Sequence, residues 1–324
     1  MSKEKFPTST EHPNVCLWHA NCMDGQIAAA LMYRFFRGKI ECVPVRYNEP
    51  PPLELMRGKH VYLVDFTYPV DVLLPHLDSM ASLNILDHHQ DAMADWQRLW
   101  ATADSPSEVN LEKLYVKFDI TKSGAMLVWD FTFGVGGDHP LALTVPKLVR
   151  YAQAYDLWTK ELHMTDEVQS ALRYNYPPHL AKLDELASFL LLANEADIEE
   201  LKDTGKIILD QERVLAESLI RRSLRFETFL GYENVAVCQM PAELVNQAGE
   251  MIYTRHPEVP FVVLFEDNYK YQSRKYSFRS HRDLGMNVSK VAAMLGGKGH
   301  KNSAGATVNL ALVFEAEAMF DIVE

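Results

Sequence analysis

The sequence predicts an α/β protein of two domains, and three features indicate it. Short apolar, β-branched runs alternate with helix-like runs over residues 15–86, which is typical of βαβ units and a parallel sheet. A chain of 324 residues exceeds one typical core. Strand-like runs return from about Asn234, after a long helical stretch. We therefore predict a parallel-sheet N-terminal domain with helices on both faces (residues 1–185), a helical connector (186–230) and a smaller α/β C-terminal domain (231–324).

The N-terminal strands are apolar enough to be buried on both faces, as in a parallel sheet. They are predicted at Val15–His19, Glu41–Arg46, Val61–Asp65 and Leu83–Leu86. Helices are predicted at Gly25–Arg37, Pro69–Met80, Gly124–Phe133 and Leu141–Tyr155. Proline often begins a first helical turn, as at Pro69, and Ser123 is a typical N-cap.

The rest of the chain is predicted from the same signals. Residues 180–230 have the pattern of one continuous helix with mixed charge. Strands follow at Val235–Gln239, Pro260–Phe265, Lys275–Phe278 and Ala306–Leu312. Helices are predicted at Ala242–Tyr253 and Asn287–Leu295.

Composition excludes several classes of protein. With 48% apolar and 23% charged residues the chain is typical of a globular protein. No apolar run reaches the roughly 20 residues of a membrane-spanning helix, and the start through Pro13 lacks the apolar segment of a signal peptide. The 4 cysteines form no CxxC pair, so disulfides are not expected. We expect a cytoplasmic protein without membrane association.

Charge is unevenly distributed along the chain. The net charge is −12, yet residues 270–301 hold eight Lys or Arg and a single acid, Asp283. A basic stretch of this size in an acidic protein favours a pocket for a small anion over a groove for long duplex DNA.

Acidic, histidine and cysteine residues follow several apolar runs. They lie in the segment His19–Gly25, at Asp65, in Asp87-His88-His89 and at Asp156. A lone aspartate after a strand is most often a helix cap. Adjacent histidines are poor turn formers and frequent metal ligands, however, and the carboxyl ends of parallel strands meet at one sheet edge. The sequence therefore predicts a metal site at that edge.

These residues form motifs that resemble those of the DHH phosphoesterase superfamily, with its DHH domain and DHH-associated C-terminal domain. The resemblance spans residues 15–312, and its layout is most similar to the nanoRNase, oligoribonuclease-like branch. The motifs are His19-x-x-Cys22-x-Asp24-Gly25, Val64-Asp65-Phe66, Leu86-Asp87-His88-His89, Tyr155-Asp156-Leu157-Trp158, Phe278-Arg279-Ser280 and Gly296–Gly305.

The resemblance implies two Mn²⁺ ions that hold a hydroxide and stabilise charge on a phosphoester. It assigns His19 and Asp65 to the first metal, and Asp24, Asp65, His88 and Asp156 to the second, with Asp65 bridging. Asp87 is expected to orient His88, and His89 to face the scissile phosphate and assist the leaving group as a catalytic residue.

Two positions depart from the superfamily pattern. Cys22 stands where better-known members carry an aspartate, so the first site holds at most a thiolate as its third ligand. Thiolate disfavours Mg²⁺ and suits Zn²⁺ or Fe²⁺ better than Mn²⁺. The alternative is that Cys22 only fills the space of a lost carboxylate. Motif IV has one carboxylate fewer than many relatives, which leaves Asp156 as ligand or as a simple turn cap.

In the C-terminal domain the resemblance predicts the substrate-binding residues. Glycines allow backbone amides to approach an anion, and a guanidinium suits a phosphate. The expected residues are Arg279, Ser280, Gly297, Gly299, His300 and Asn302. Arg282 and Lys298 are weaker candidates. Ser123 to Ala125 could contact phosphate, although a helix N-cap is favoured.

The expected function is hydrolysis of short oligonucleotides or linear or cyclic dinucleotides to 5′-mononucleotides. Alternatives are an exopolyphosphatase, a 3′-phosphonucleotide phosphatase, or a nucleotide-binding sensor with little turnover. Tyr269, Tyr271 and Tyr276 lie among the basic residues and favour a nucleotide, because bases stack on aromatic rings. A long-strand exonuclease is not expected. A homodimer is compatible with the sequence.

Overall fold

The chain folds into two compact units that divide between Lys206 and Ile207. The structure is a computed structural model and describes residues 13–46, 49–100, 108–134, 144–180, 182–281 and 285–313. The division lies inside the region that the sequence analysis assigns to a connector. The predicted three-part boundaries, 185/186 and 230/231, remain predictions.

The first unit is built on a sheet of six strands in the order β2-β1-β3-β4-β6-β5. Neighbouring strands are parallel except the edge pair β5 and β6, which is antiparallel. The predicted parallel α/β fold is confirmed. The strands are β1 (Asn14–His19), β2 (Ile40–Val45), β3 (His60–Val64), β4 (Ser82–Asp87), β5 (Glu108–Asn110) and β6 (Leu114–Phe118).

Alternating side chains of these strands enter two apolar cores, one on each face of the sheet. In β1, Cys16 and Trp18 pack with the first core, whereas Val15 and Leu17 pack with the second. Helices cover both faces, as predicted. They are α1 (Met23–Phe35), α2 (Leu53–Met56), α3 (Val70–Leu73), α4 (Gln90–Gln97), α5 (Gly124–Thr132), α6 (Lys147–Asp156), α7 (Thr165–Asn175), α8 (Leu183–Leu192) and α9 (Glu195–Ser223), the last crossing into the second unit.

The second unit has a mixed sheet in the order β11-β12-β10-β9-β8-β7, in which only β8 and β9 are parallel among the described pairs. The C-terminal half of α9 packs with α10 in one core, and α11 packs in another. The elements are β7 (Arg225–Phe229), β8 (Tyr232–Gln239), α10 (Val245–Arg255), β9 (Val262–Asn268), β10 (Ser273–Arg279), α11 (Val288–Met294), β11 (Lys298–His300) and β12 (Ser303–Asn309).

The predicted continuous helix over residues 180–230 is wrong in two places. Asn194 ends the first helical stretch and caps α9, because its Oδ1 accepts hydrogen bonds from the backbone N–H groups of Ala196 (2.8 Å) and Asp197 (3.3 Å). Further on, β7 turns into β8 through Leu230 and Gly231, both with positive φ, as in the tight turns that favour hairpins. Local polar contacts and turn geometry therefore overrode an overall helical pattern.

Other differences are smaller. The helix predicted at Pro69–Met80 continues as a 3₁₀ helix from Leu74. Pro75 has no backbone N–H and therefore cannot donate a hydrogen bond to the preceding turn. No element was predicted for β5, β6, α2, α4, α7 or β11. No helix in the described part of the chain is long and apolar enough to cross a membrane.

Candidate metal centre

Strand ends bring most of the predicted ligands together. His19 is the last residue of β1, Asp65 follows β3, and Asp87 and His88 end or follow β4. Because β1, β3 and β4 are parallel neighbours, their carboxyl ends lie at the same edge. Asp65, Asp87 and His88 are buried there.

Two further carboxylates reach this edge from helices. Asp24 lies in the first turn of α1 and is buried. Asp156 is the last residue of α6, so the expectation that it marks a strand end is wrong, but its carboxylate still reaches the site. Its Oδ2 lies 3.4 Å from His88 Nε2.

Asp65 lies between two sets of ligands and offers one oxygen to each. Its Oδ1 is 3.1 Å from His88 Nε2, and its Oδ2 is 3.7 Å from His19 Nδ1. The first ligand group comprises His19, Cys22 and Asp65, and the second comprises Asp24, His88 and Asp156; within each, the ligand atoms lie within 4.8 Å of one another. One oxygen of the Asp65 carboxylate therefore lies beside each ligand group.

Buried oxygens at the site fit a cation. Among the described residues, Asp24 Oδ1 and Asp65 Oδ2 are buried without a hydrogen-bond partner. Buried polar atoms are nearly always paired, and a buried charge without compensation is costly. Carboxylate, imidazole and thiolate are the donors that divalent metals take in proteins. The residues therefore fit a divalent metal centre.

The electrostatics of the site show a crowding of negative charge. Burial, followed by repulsion from Asp65 and Asp156, raises the pKa of Asp24 well above its ordinary value. Burial and the surrounding carboxylates likewise raise the pKa of the Cys22 thiol. For His88, burial lowers the pKa, but the Asp65 carboxylate outweighs it and raises it to about 10. Because metal ligands must be deprotonated, metal binding at these groups would be coupled to proton release.

Asp65 itself is the carboxylate that the site keeps ionised. Burial acts to raise its pKa, but the neighbouring imidazoles of His19 and His88 outweigh burial and lower the pKa well below its ordinary value. Its carboxylate is therefore charged at neutral pH, as a metal ligand must be.

Asp87 holds His89 rather than His88. Its Oδ1 lies 2.7 Å from His89 Nδ1 and accepts backbone N–H groups of His88 (2.7 Å) and His89 (3.2 Å). The prediction that Asp87 orients the His88 ring differs from this arrangement, in which His88 Nε2 contacts Asp65 and Asp156 instead. Burial lowers the pKa of His89, but the Asp87 carboxylate dominates and raises it to about 9.

The N-terminal turn of α5 packs against Asp24 and Asp65 of the centre. Ser123 Oγ accepts the backbone N–H of Met126 at 3.4 Å, which confirms the predicted N-cap. The N–H of Ala125 donates to Asp24 Oδ2 at 3.2 Å. A Cβ at Gly124 would lie 2.4 Å from Asp65 Cβ, so glycine is required for this close approach. The sequence analysis singled out this segment, but no local signal showed that it contacts Asp24 and Asp65.

In the second unit, several of the predicted substrate residues are hydrogen-bonded to neighbouring residues. Asn302 Nδ2 donates to Ser280 Oγ and to the carbonyl of His281, both at 2.9 Å. Arg279 donates through Nε (3.2 Å) and Nη2 (2.9 Å) to Oδ1 of Asn246, a contact that the sequence analysis missed.

The glycine-rich segment is closely packed. Side chains at Gly297 or Gly299 would collide with β12 at Gly305 or Ala304. The His300 side chain and Arg282 fall outside what the structure describes. Anion binding by this segment remains a prediction.

The chain has a relative among known protein sequences. No family model matches the chain. An uncharacterized protein, R106 of Acanthamoeba polyphaga mimivirus, is 23% identical over 308 residues, which is 90% of this chain and 66% of that protein. This chain therefore spans slightly under two thirds of that relative.

Two solved structures resemble the chain over most of its length. The DHH domain of PF0399, a member of the s1p family of ribosomal proteins, has a TM-score of 0.53 at 10% identity and covers 91% of this chain and 82% of its own. The exonuclease RecJ bound to manganese has a TM-score of 0.50 at 15% identity, covering 94% and 88%. The chain thus has the fold of these DHH-type proteins, as the motifs of its sequence predict.

Proposed function

We propose that the protein is a metal-dependent phosphoesterase that hydrolyses short oligonucleotides or linear or cyclic dinucleotides to 5′-mononucleotides. The observation that carries the proposal is the placement of Asp65, whose two oxygens face two separate ligand groups. Two cations a few ångströms apart are the arrangement used for in-line displacement at phosphorus. RecJ, whose fold is similar, is an exonuclease that binds manganese, which supports both the metal and the substrate class.

The residues that would hold the metals are the two ligand groups of the centre. Bound there, divalent metals would stabilise the negative charge of a phosphoryl group and promote ionisation of water. Burial of Asp24, Asp65 and His88 excludes bulk solvent and strengthens these electrostatic effects.

His89 has the features of a general acid. Asp87 holds its Nδ1 at 2.7 Å, which fixes the orientation of the ring, and Nε2 is the atom that would give a proton to the leaving oxygen. A pKa of about 9 keeps the imidazole protonated at neutral pH, so that it can give a proton to the leaving group. A protein that only binds a nucleotide has no need of this arrangement.

The size of the substrate is inferred from the second unit. Its basic stretch suits an anion with few phosphates. Of the three tyrosines proposed to stack on bases, Tyr269 and Tyr271 are exposed, whereas Tyr276 is buried and unavailable. These features favour a nucleotide over polyphosphate.

The test is a hydrolysis panel with the full chain and Mn²⁺. We expect release of 5′-mononucleotides from a linear dinucleotide or a cyclic dinucleotide. Release of inorganic phosphate from polyphosphate and 3′-phosphoadenosine 5′-phosphate should be slower or absent. Faster cleavage of either of the last two would replace the proposed substrate by the corresponding alternative. Nucleotide binding without turnover with Mn²⁺, Zn²⁺ or Fe²⁺ would identify a sensor and contradict the proposal.

A further inference from the structure

The two ligand groups of the centre differ in chemistry. The first combines one nitrogen, one sulfur and one oxygen donor, from His19, Cys22 and Asp65. The second, from Asp24, His88 and Asp156, has only oxygen and nitrogen donors. Thiolate favours softer or borderline metals such as Zn²⁺, whereas carboxylates suit Mg²⁺ and Mn²⁺.

Cys22 is placed to serve as a ligand rather than as a structural residue. It is the N-cap residue of α1, with extended backbone, yet its side chain makes no capping hydrogen bond. Serine, threonine, aspartate or asparagine would cap this helix better. The residue is also partly exposed, in contrast to Cys16 and Cys238, which lie in the apolar cores.

A second observation points to a ligand at the same place. Asp65 is 1% exposed, and its Oδ2, the oxygen on the side of His19, accepts no hydrogen bond from the residues that the structure describes. An oxygen in this environment is expected to be satisfied by a cation. Three protein ligands also leave one position open, as in catalytic zinc sites.

We propose that the first ligand group binds Zn²⁺ through the Cys22 thiolate while the second ligand group binds Mn²⁺, so that the centre holds two different metals. The inference concerns the metal centre of the proposed function but does not depend on turnover. On binding, the Cys22 thiol gives its proton to solvent and a sulfur–metal bond forms.

Cobalt spectroscopy tests the sulfur ligand directly. Metal-free full-length protein is titrated with Co²⁺ without oxygen. We expect a thiolate-to-cobalt charge-transfer band in the near ultraviolet, its loss in Cys22→Ser and Cys22→Asp, and its retention in Cys42→Ser. Cys42 is the matched control because it is also partly exposed but lies outside both ligand groups. A band that persists in Cys22→Ser, or no band in the wild type, would overturn the proposal.

Metal competition tests the selectivity. At matched low Zn²⁺ and excess Mn²⁺, the wild type should retain one Zn²⁺ per chain, whereas Cys22→Asp should retain less zinc and more manganese. Circular dichroism checks the folding of each variant. Alkylation of Cys22 tests the same ligand in the wild-type protein. Bound Zn²⁺ should protect the thiol from the alkylating reagent. Equal labelling of Cys22 with and without Zn²⁺ would contradict thiolate ligation.

Failure of this inference and failure of the proposed function give different results. A cobalt band without hydrolysis of any substrate would refute the phosphoesterase and leave the thiolate site intact. Hydrolysis supported by Mn²⁺ at both sites, without the cobalt band, would refute the thiolate site and leave the phosphoesterase intact.

Discussion

The candidate metal centre and the predicted substrate residues of the second unit differ in how their polar atoms are satisfied. In the centre, Asp24 and Asp65 each have a buried oxygen without a partner among the described residues. In the second unit, Arg279 and Asn302 have their donors engaged by neighbouring residues of the same unit.

The metal centre and the second unit are therefore preorganised for a ligand in different ways. The metal centre is incomplete without a cation, because buried oxygens of Asp24 and Asp65 have no hydrogen-bond partner among the described residues. The second unit is complete by itself and holds its side chains in fixed orientations, which lowers the entropy cost of binding. Substitutions should therefore have large effects in the first unit and moderate effects in the second.

The largest expected effect is that of Asp65→Asn. Asparagine tolerates the same backbone conformation but removes the charge that both ligand groups share. We expect loss of bound metal and a fall in activity beyond the roughly 10⁴-fold that one acid–base group can supply. Metal analysis and hydrolysis rates measure both, with the exposed Asp71→Asn of the same unit as control. Retention of both metals would show that Asp65 is not a bridge.

His89→Ala should have the next largest effect. Loss of a general acid should lower kcat by roughly 10²- to 10⁴-fold, with metal content unchanged. Asp87→Asn should lower kcat less, because His89 keeps its ring but loses the carboxylate that holds Nδ1. In the wild type, kcat should fall as the pH rises through about 9, because His89 then loses the proton that it donates. This fall should be absent in His89→Ala. An unchanged fall would assign the proton to another group.

Arg279→Ala tests the second unit. If Arg279 contacts the substrate phosphate, KM should rise roughly 10- to 150-fold, the equivalent of about 1.5–3 kcal/mol for a hydrogen bond to a charged group, with little change in kcat. Asn246→Ala should raise KM less, about fivefold, because it removes only the residue that orients the guanidinium. A fall in kcat with unchanged KM would contradict a role in binding.

Gly124→Ala compares packing in the two units. Its Cβ would collide with Asp65, so we expect a loss of about 1–3 kcal/mol in the free energy of unfolding. Gly249→Ala is the comparison in the second unit: its Cβ would meet Arg279 Cγ at 2.9 Å and Arg279 Cβ at 3.1 Å, both side-chain atoms, so the loss should be smaller than at Gly124.

Urea denaturation can follow the two units separately. All 5 tryptophans precede residue 207, so their fluorescence reports on the first unit alone, and circular dichroism covers the second. Equal stability of Gly124→Ala and the wild type would show that the approach of α5 to Asp65 is looser than described.

The strand-end residues could be predicted because each follows an apolar run whose place in a parallel sheet is determined by local pattern. His19, Asp65 and His88 were found in this way. The supporting contacts could not be, because they join distant positions: Ala125 donates to Asp24 across 101 residues, and Asn246 holds Arg279 across 33. Only the packed structure shows such pairs.

The errors have equally physical causes. The cap at Asn194 and the turn at Gly231 each depend on one or two residues inside a pattern that is helical on average. Asp156 was expected at a strand end because its motif was grouped with motifs that follow strands, whereas Asp156 ends helix α6. Asp87 was paired with the wrong imidazole, since both histidines are adjacent in sequence and only side-chain direction separates them.

The backbone of Asp65 restricts how this protein can change over evolution. Its φ of +55° lies in the left-handed region, which among residues other than glycine is adopted most readily by aspartate and asparagine. Glycine would lose the ligand, and most other residues would add strain. Asparagine is therefore the substitution most compatible with the fold at this position, and it would convert the protein into a form without the shared charge. A lineage that abandoned catalysis but kept the scaffold would be expected to pass through that residue.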